Sequence, residues 1–427
     1  MRPTATSFCL VLLLGAALPS LAADPPPPDD LDALTLADKA PTAAVERPRE
    51  WRVFVEGAVG TGRLRSPDAN VDTSRASVDL RYDATVAKSL RAVLSDRLDL
   101  ARARGGNVQG ADINTLREAY LSWAPGAEQN IDLGRVNLRH GAALGFNPTD
   151  WFKDGALRSI VSPDPAMLRE NRQGTVVLQG QQLWNAGVLT AAFSPKLGDT
   201  PNPGSTFNLD FGATNPRDRW LVAGSYKLSD KFTPEVLAYG GAGMPTQFGL
   251  NLSGLVGDAT VVFGEFTVGK GRSLMAQAMG VAEPERTQRR AAVGLTYTTS
   301  FNLSVTVEAD YNSAAPDRAD WNAMWAVAPT SPGQLLAASQ LQQDLPVRRA
   351  GFVHATWRDA GLRRLDLSGF VRFETETHSR AQWLEARYRW ERTELALQWQ
   401  AFSGAPQTLF GPVPQRRSVE LALRFYL

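Results

Sequence analysis

Residues 301–312 read FNLSVTVEADYN, and the side chains alternate between two kinds of solvent. Phe301, Leu303, Val305, Val307, Ala309 and Tyr311 fall on one side of an extended chain, with Asn302, Ser304, Thr306, Glu308, Asp310 and Asn312 on the other. Successive residues of a strand point to opposite faces, so the segment is a strand with one apolar and one charged face. In the packed centre of a soluble sandwich the two acids and their polar companions would need partners, because burying them unpaired is costly. Facing a wet lumen they need none, and the apolar face is left for lipid.

The same alternation recurs along the chain. Ala291, Val293, Leu295 and Tyr297 alternate with Arg290, Thr296 and Thr298, and Leu365, Leu367, Gly369, Val371 and Phe373 with Arg364, Asp366, Ser368 and Arg372. Leu395, Leu397 and Trp399 alternate with Glu394, Gln398 and Gln400. One such stretch alone would suit a soluble sheet with a single wet face. Repetition, with no apolar run long enough for a membrane helix, points to an all-β transmembrane antiparallel barrel. Strands are expected at 51–61, 73–86, 88–101, 113–124, 128–139, 172–184, 186–194, 217–228 and 231–241. They continue at 245–256, 258–268, 288–299, 301–312, 347–358, 361–373, 379–390, 392–402 and 415–427, about 18 in all with 16 as the alternative count. Joins after even-numbered strands are short, whereas those after odd-numbered strands include the long segments 140–171, 195–216, 269–287 and 313–346. Short periplasmic turns and long outer loops are the layout of outer-membrane barrels, and an even count returns both ends to the periplasm.

Residues 1–22 read as a cleaved signal peptide, with Arg2 ahead of the apolar run 8–17 and Ser20-Leu21-Ala22 at the cleavage position. Residues 23–50, opening DPPPPDD after Ala23, read as a Pro-rich periplasmic leader, with docking to a periplasmic transport partner as its functional alternative. The barrel is assigned to 51–427. Cys9, the only cysteine, lies in the signal, so the mature chain has no thiol chemistry. With 45 Lys+Arg against 44 Asp+Glu, charge gives no reason to expect nucleic acid as a partner.

The last segment alternates Val419, Leu421, Leu423, Phe425 and Leu427 with Glu420, Ala422, Arg424 and Tyr426. It resembles the C-terminal signal read by the barrel-assembly machinery, although Leu427 stands where an aromatic residue is usual. LREAYLSW at 116–123, IDLGRVNLR at 131–139 and the FNPTD of residues 146–150 together resemble porin-like barrels related to the alginate-export family. That resemblance implies an outer-membrane passage for polysaccharide or small hydrophobic compounds.

The long join 141–171 is the principal candidate for a functional element. It carries Trp151, Phe152, Leu157, Ile160, Val161 and Met167, more apolar surface than a loop bathed in water needs. It is expected to fold inward as a third outer loop, with Trp151, Phe152, Lys153, Asp154 and Arg158 at a pore constriction; the competing reading is a surface loop or external partner site. Parity places Glu308, Asp310, Arg364, Arg372, Glu385, Arg387 and Arg389 on the lumen face as selectivity residues. The modest excess of arginine points to anionic solutes, since its fork of donors matches carboxylates and phosphates. For each arginine singly, a cross-strand ion pair is the plainer reading. Trp383 shares the parity of Glu385 and Arg387 and is the candidate for an aromatic sugar path. Two positions fit poorly: Asp96 shares the lipid-facing parity of Leu94 and Leu98, and the apolar parity switches around Gly134, where a bulge at 134–135 is expected.

The function expected is an outer-membrane channel or export porin for a small or polymeric solute, with outer-membrane lipid around it. No catalytic residues, cofactor or metal ligands are assigned: His140, His354 and His378 lie in no nucleophile motif, and no metal-ligand or glycine-rich phosphate-binding spacing occurs. The alternatives are a barrel enzyme acting on lipid and a soluble all-β periplasmic binding protein. A plugged receptor is set aside because the leader is too short to form a core of its own.

Overall fold

A computed structural model describes residues 50–66, 68–106, 110–328 and 330–427. The expected signal peptide, and the expected leader up to residue 49, lie outside them. Eighteen strands form: β1 (Trp51–Leu64), β2 (Asn70–Ala87), β3 (Leu90–Arg104), β4 (Asp112–Gly126), β5 (Gln129–Val136) and β6 (Thr175–Trp184). These are followed by β7 (Gly187–Ser194), β8 (Arg219–Tyr226), β9 (Glu235–Gly241), β10 (Met244–Val256), β11 (Thr260–Gly271) and β12 (Arg286–Thr298). The last six are β13 (Leu303–Asn312), β14 (Arg349–Trp357), β15 (Leu365–Glu374), β16 (Arg380–Arg389), β17 (Thr393–Ser403) and β18 (Gln415–Tyr426). Each pairs antiparallel with its chain neighbours, and β18 returns to β1 in a ladder running from Phe54↔Tyr426 to Leu64↔Gln415. This is a closed 18-stranded barrel with no free edge.

Its two faces follow the alternation in the sequence. On β13, Thr306, Glu308 and Asp310 are buried inward while Val307, Ala309 and Tyr311 are exposed outward. Val59, Leu133 and Val236 are 60, 59 and 61% exposed on the outer wall, which is tolerable only where the surroundings are themselves apolar. Trp123, Tyr297, Phe301 and Trp390 are exposed at the short-turn end, and Trp220, Tyr311 and Phe373 at the long-loop end, as rings anchored at two interfaces. No helix among the described residues is long and apolar enough to cross a membrane; the crossing is made by strands.

The long joins are structured. They carry five helices among the described residues: α1 (Pro165–Asn171), α2 (Phe211–Thr214), α3 (Leu274–Met279), α4 (Arg318–Val327) and α5 (Ser331–Gln342). Asp317 and Asp320 cap the start of α4 reciprocally, satisfying backbone N–H groups that would otherwise be orphaned. Where these loops meet in the outer mouth they make a core of their own, with Phe146, Leu274, Trp321, Leu335, Leu345 and Leu409 buried together. A second core, of Val136, Leu138, Phe152, Val177, Leu221, Leu237 and Tyr239, lies between loop and inner wall.

That second core corrects one expectation. The ladder through Gly134 and Arg135 runs without a register shift to both neighbours, so no bulge is there. The apolar parity changes because the partner changes: Leu133 faces lipid, whereas Val136 and Leu138 face inward under a loop. A register shift does occur at Ser95/Asp96, where Arg117 of β4 is the extra residue. It does not turn Asp96 inward. Asp96 stays on the outer face between Leu94 and Leu98 and accepts a hydrogen bond from Asn114 Nδ2 at 2.8 Å.

Candidate functional site

The join 137–174 leaves β5, traverses the barrel and returns to β6. β14 stands nine strands from β5 in either direction round the ring, and the loop touches it and both its neighbours. Ala143 N–H donates to Glu265 Oε1 of β11 at 2.7 Å, and Leu144 and Gly145 N–H donate to the two carboxylate oxygens of Glu308 on β13 at 2.6 and 2.8 Å. Arg372 of β15 donates to the Gly145 carbonyl. Gly145 passes so close to β14 that a Cβ would stand 2.6 Å from the Phe352 ring, which explains glycine there.

The middle of the loop is fastened by its aromatic residues. A single 3-10 turn, Trp151–Lys153, stacks Trp151 on Tyr239 of β9 with centroids 5.0 Å apart, and Trp151 Nε1 donates to Gln247 of β10 at 3.1 Å. Phe152 meets the same tyrosine edge-on at 5.8 Å, and the Arg219 guanidinium lies over the Phe152 ring, 4.7 Å from its centroid. On the way back Asp164 reaches to 3.9 Å from His354 of β14, Glu170 pairs with Arg52 of β1 at 3.3 Å, and Asn171 accepts from Arg117 of β4 at 2.9 Å. Asp150 closes the base on Arg172 at 2.7 Å; burial pushes its carboxyl up, but Arg172 and Arg169 outweigh that and hold it below its ordinary value. Fixed on many sides of the lumen, the loop is an inward-folded partition.

The structure sorts the expected constriction residues. Trp151 and Phe152 are packed fastenings against β9 and β10. Lys153 donates to the Asn147 carbonyl and lies 5.0 Å over the Phe146 ring, while its own carbonyl accepts from Gln343 beyond α5. Arg158 ties the loop to the neighbouring join through the Ser205 carbonyl at 2.8 Å and that of Asn208. Asp154 alone of the five is exposed.

The expected lumen residues separate likewise. Glu308 and Arg372 hold the loop, and Asp310 is buried beside Glu308 on the same face, with neither carboxylate oxygen hydrogen-bonded among the described residues. Glu385 pairs with Arg387 at 2.9 Å, Arg387 also with Glu394 at 2.7 Å, and Arg389 with Asp366 at 3.0 Å. Arg364 is a correction: it lies in the β14–β15 turn, exposed, with φ +71°, and not on the lumen wall. Trp383 is inward but fully buried, stacked on Phe370 at 5.7 Å, with Phe352 a further 5.4 Å along.

Parity in the sequence places Arg75, Asp79 and Arg424 inward, but the sequence reading passed over the charges they meet, Glu56, Arg97 and Arg117. Glu56 of β1 receives Arg75 at 2.5 Å, Arg97 at 3.0 Å and Arg424 at 2.8 Å, and Asp79 receives Arg117 at 2.7 Å. Parity would have found Glu56, Arg97, Asp99 and Glu265, since each shares a face with inward neighbours; Arg117 is hidden by its bulge. Among the described residues no group of three or more His, Cys, Asp or Glu could hold a metal ion.

No protein-family model and no curated protein matches the sequence. Solved structures do match the fold. Acinetobacter baumannii OccAB1 superposes with a TM-score of 0.57 at 10% identity, covering 88% of this chain and 96% of that one. A BenF-like porin from Pseudomonas fluorescens Pf-5 gives 0.54 at 12% identity over 88% and 98%. Pseudomonas aeruginosa OccK2 (OpdF), solved in complex with glucuronate, gives 0.54 at 10% identity over 88% and 97%. The fold is therefore that of an outer-membrane porin-like barrel; none of these three is described as an alginate exporter.

Proposed function

We propose that this protein is an outer-membrane channel for a small solute, narrowed by the loop that crosses its lumen. The loop carries the reading: a wall of 18 strands encloses more space than its side chains fill, and a segment fastened to opposite sides of that wall sets what can pass. Within this proposal the solute is anionic and carboxylate-bearing. The inner-wall arginines support that, and so does the glucuronate of one structural neighbour, a ligand of that protein brought here by analogy. Because Arg387 and Arg389 are ion-paired, selectivity would come from their balance with the acids beside them rather than from free positive charge.

Export by the signal peptide 1–22, a periplasmic leader over 23–50 with a transport partner, and assembly through the C-terminal strand belong to the same proposal. Passage of polysaccharide, as the alginate-export resemblance implies, is a second reading. The ring row Phe352, Phe370 and Trp383 favours it, since stacked rings hold sugar faces; it requires the covering loops to move, because Phe352 and Trp383 are buried.

Deleting residues 151–165 tests the main reading without cutting a wall strand. The expected result in a planar bilayer is higher single-channel conductance and entry of larger solutes. Unchanged conductance from a folded variant would show that the loop does not set the passage. Block by polyuronate chains but not by glucuronate would favour the second reading.

A further inference from the structure

The outer wall carries a feature that passage through the lumen does not use. Lys270 of β11, Arg289 of β12 and Arg349 of β14 point away from the lumen at the long-loop ends of their strands, on the faces of Val268, Ala291 and Gly351. The ladders set Lys270 opposite Thr287, Val268 opposite Arg289 and Tyr311 opposite both Ala291 and Arg349, so the three cations are spread along the rim from β11 to β14, with Tyr311 of β13 between Arg289 and Arg349. All three are exposed, and none has an ion-pair or side-chain hydrogen-bond partner among the described residues. Elsewhere on this rim Arg63 pairs with Asp68 and Arg102 with Asp112, whereas Arg104 and Arg417, exposed and without an ion pair among the described residues, have no such groove assigned to them.

Beneath the cations is a groove of about 410 Å³ in the outer surface, lined by Phe248, Phe266, Val268, Ala291 and Tyr311, with Arg289 at its upper end. Its floor dips because Ala291 stands among larger side chains. Apolar walls at lipid depth, with three unpaired cations at headgroup level, match an amphiphile with acyl chains and an anionic head. Lysine and arginine at that height suit phosphate, which accepts the guanidinium fork.

We propose that this face of β10–β14 is a binding site for a phosphorylated lipid of the outer leaflet, its phosphate groups shared among Lys270, Arg289 and Arg349 and one acyl chain lying in the groove. The site is separate from the lumen, so it stands or falls independently of the solute.

The test uses the full barrel in detergent, titrated by native mass spectrometry with lipid A carrying its phosphates and with the same lipid after their removal. Wild type should bind the phosphorylated form about a hundredfold more tightly, each cation contributing roughly fivefold at a membrane surface. The combined change Lys270→Gln, Arg289→Gln and Arg349→Gln should lose that preference, whereas Arg102→Gln, at an already paired position, should keep it. Equal binding of the two lipids by wild type overturns the proposal. So does an unchanged preference in a triple variant that still shows the heat-modifiable migration of a folded barrel. Should the triple variant fail to fold, the two lipids on wild type decide the matter alone.

Discussion

The two halves of the inner wall use charge differently. Around the seam, on β1–β3 and β16–β18, buried arginines and acids engage one another: Glu56 gathers Arg75, Arg97 and Arg424, Arg75 reaches Glu420 at 3.1 Å, and Arg387 bridges Glu385 and Glu394. Across the lumen, on β8–β14, the wall offers Leu221, Leu237 and Tyr239 to the crossing loop, and its acids Glu265 and Glu308 bind the loop's backbone N–H groups. Charges of the first half tie wall strands to one another, and those of the second tie the wall to the crossing loop. Under the proposed channel function, residues of the same type at the same parity should therefore have separable effects on stability and conductance.

The largest effect that could break this contrast is expected at its most connected acid. Glu56→Ala leaves three arginines without their shared carboxylate and should cost about 3–5 kcal/mol, as for other broken buried pairs, read as a lower urea midpoint for loss of heat-modifiable migration. A midpoint shift no larger than that of a loop fastening would erase the distinction. Glu308→Gln comes next. It removes one strong acceptor for two N–H donors, worth about 1–3 kcal/mol to the loop, and should leave the unfolding midpoint near wild type while channel noise and mean conductance rise. A quiet, unaltered channel would show that the loop is held without Glu308.

Smaller still is Arg387→Gln. Glu394 keeps Arg424 at 3.4 Å but Glu385 loses its cation, so the urea midpoint should fall by less than for Glu56→Ala, and under the proposed channel function the reversal potential in a salt gradient should move toward cation preference with little change of conductance. No movement would make the pair a purely structural tie. The smallest effect belongs to Arg364→Gln, expected to alter neither midpoint nor reversal potential because the residue lies in an exposed turn; a measurable selectivity change would return it to the lumen.

All 18 strands were legible because a barrel wall makes each residue choose between lipid and water, and that choice is written with period two. The inaccuracies sit where the alternation outlasts its cause. At Arg364 the apolar-polar alternation of Leu365, Asp366 and Leu367 continues one residue back into the turn, and nothing in the residue type announces its positive φ, so the strand was started at 361 rather than 365. At Gly134 the reverse happened, and a change of apolar environment was taken for a bulge. For the loop, composition showed that Trp151 and Phe152 must be covered, which was enough to turn it inward. It could not show by what, since Tyr239 and Gln247 are far along the chain and their pairing with the loop leaves no local period.

The seam between β1 and β18 has a consequence in time. Every other ladder joins strands adjacent in the chain, many through turns of a few residues, so most of the wall can form by successive local steps, each closing a short span. One ladder does not share that economy: Phe54 meets Tyr426 only after nearly the whole chain has been laid down. Across that junction Arg424 finds Glu56 and Arg75 finds Glu420. Until then those charges lie on an open sheet without their closing partners, so completion of the wall and neutralisation of its charged half become a single late event.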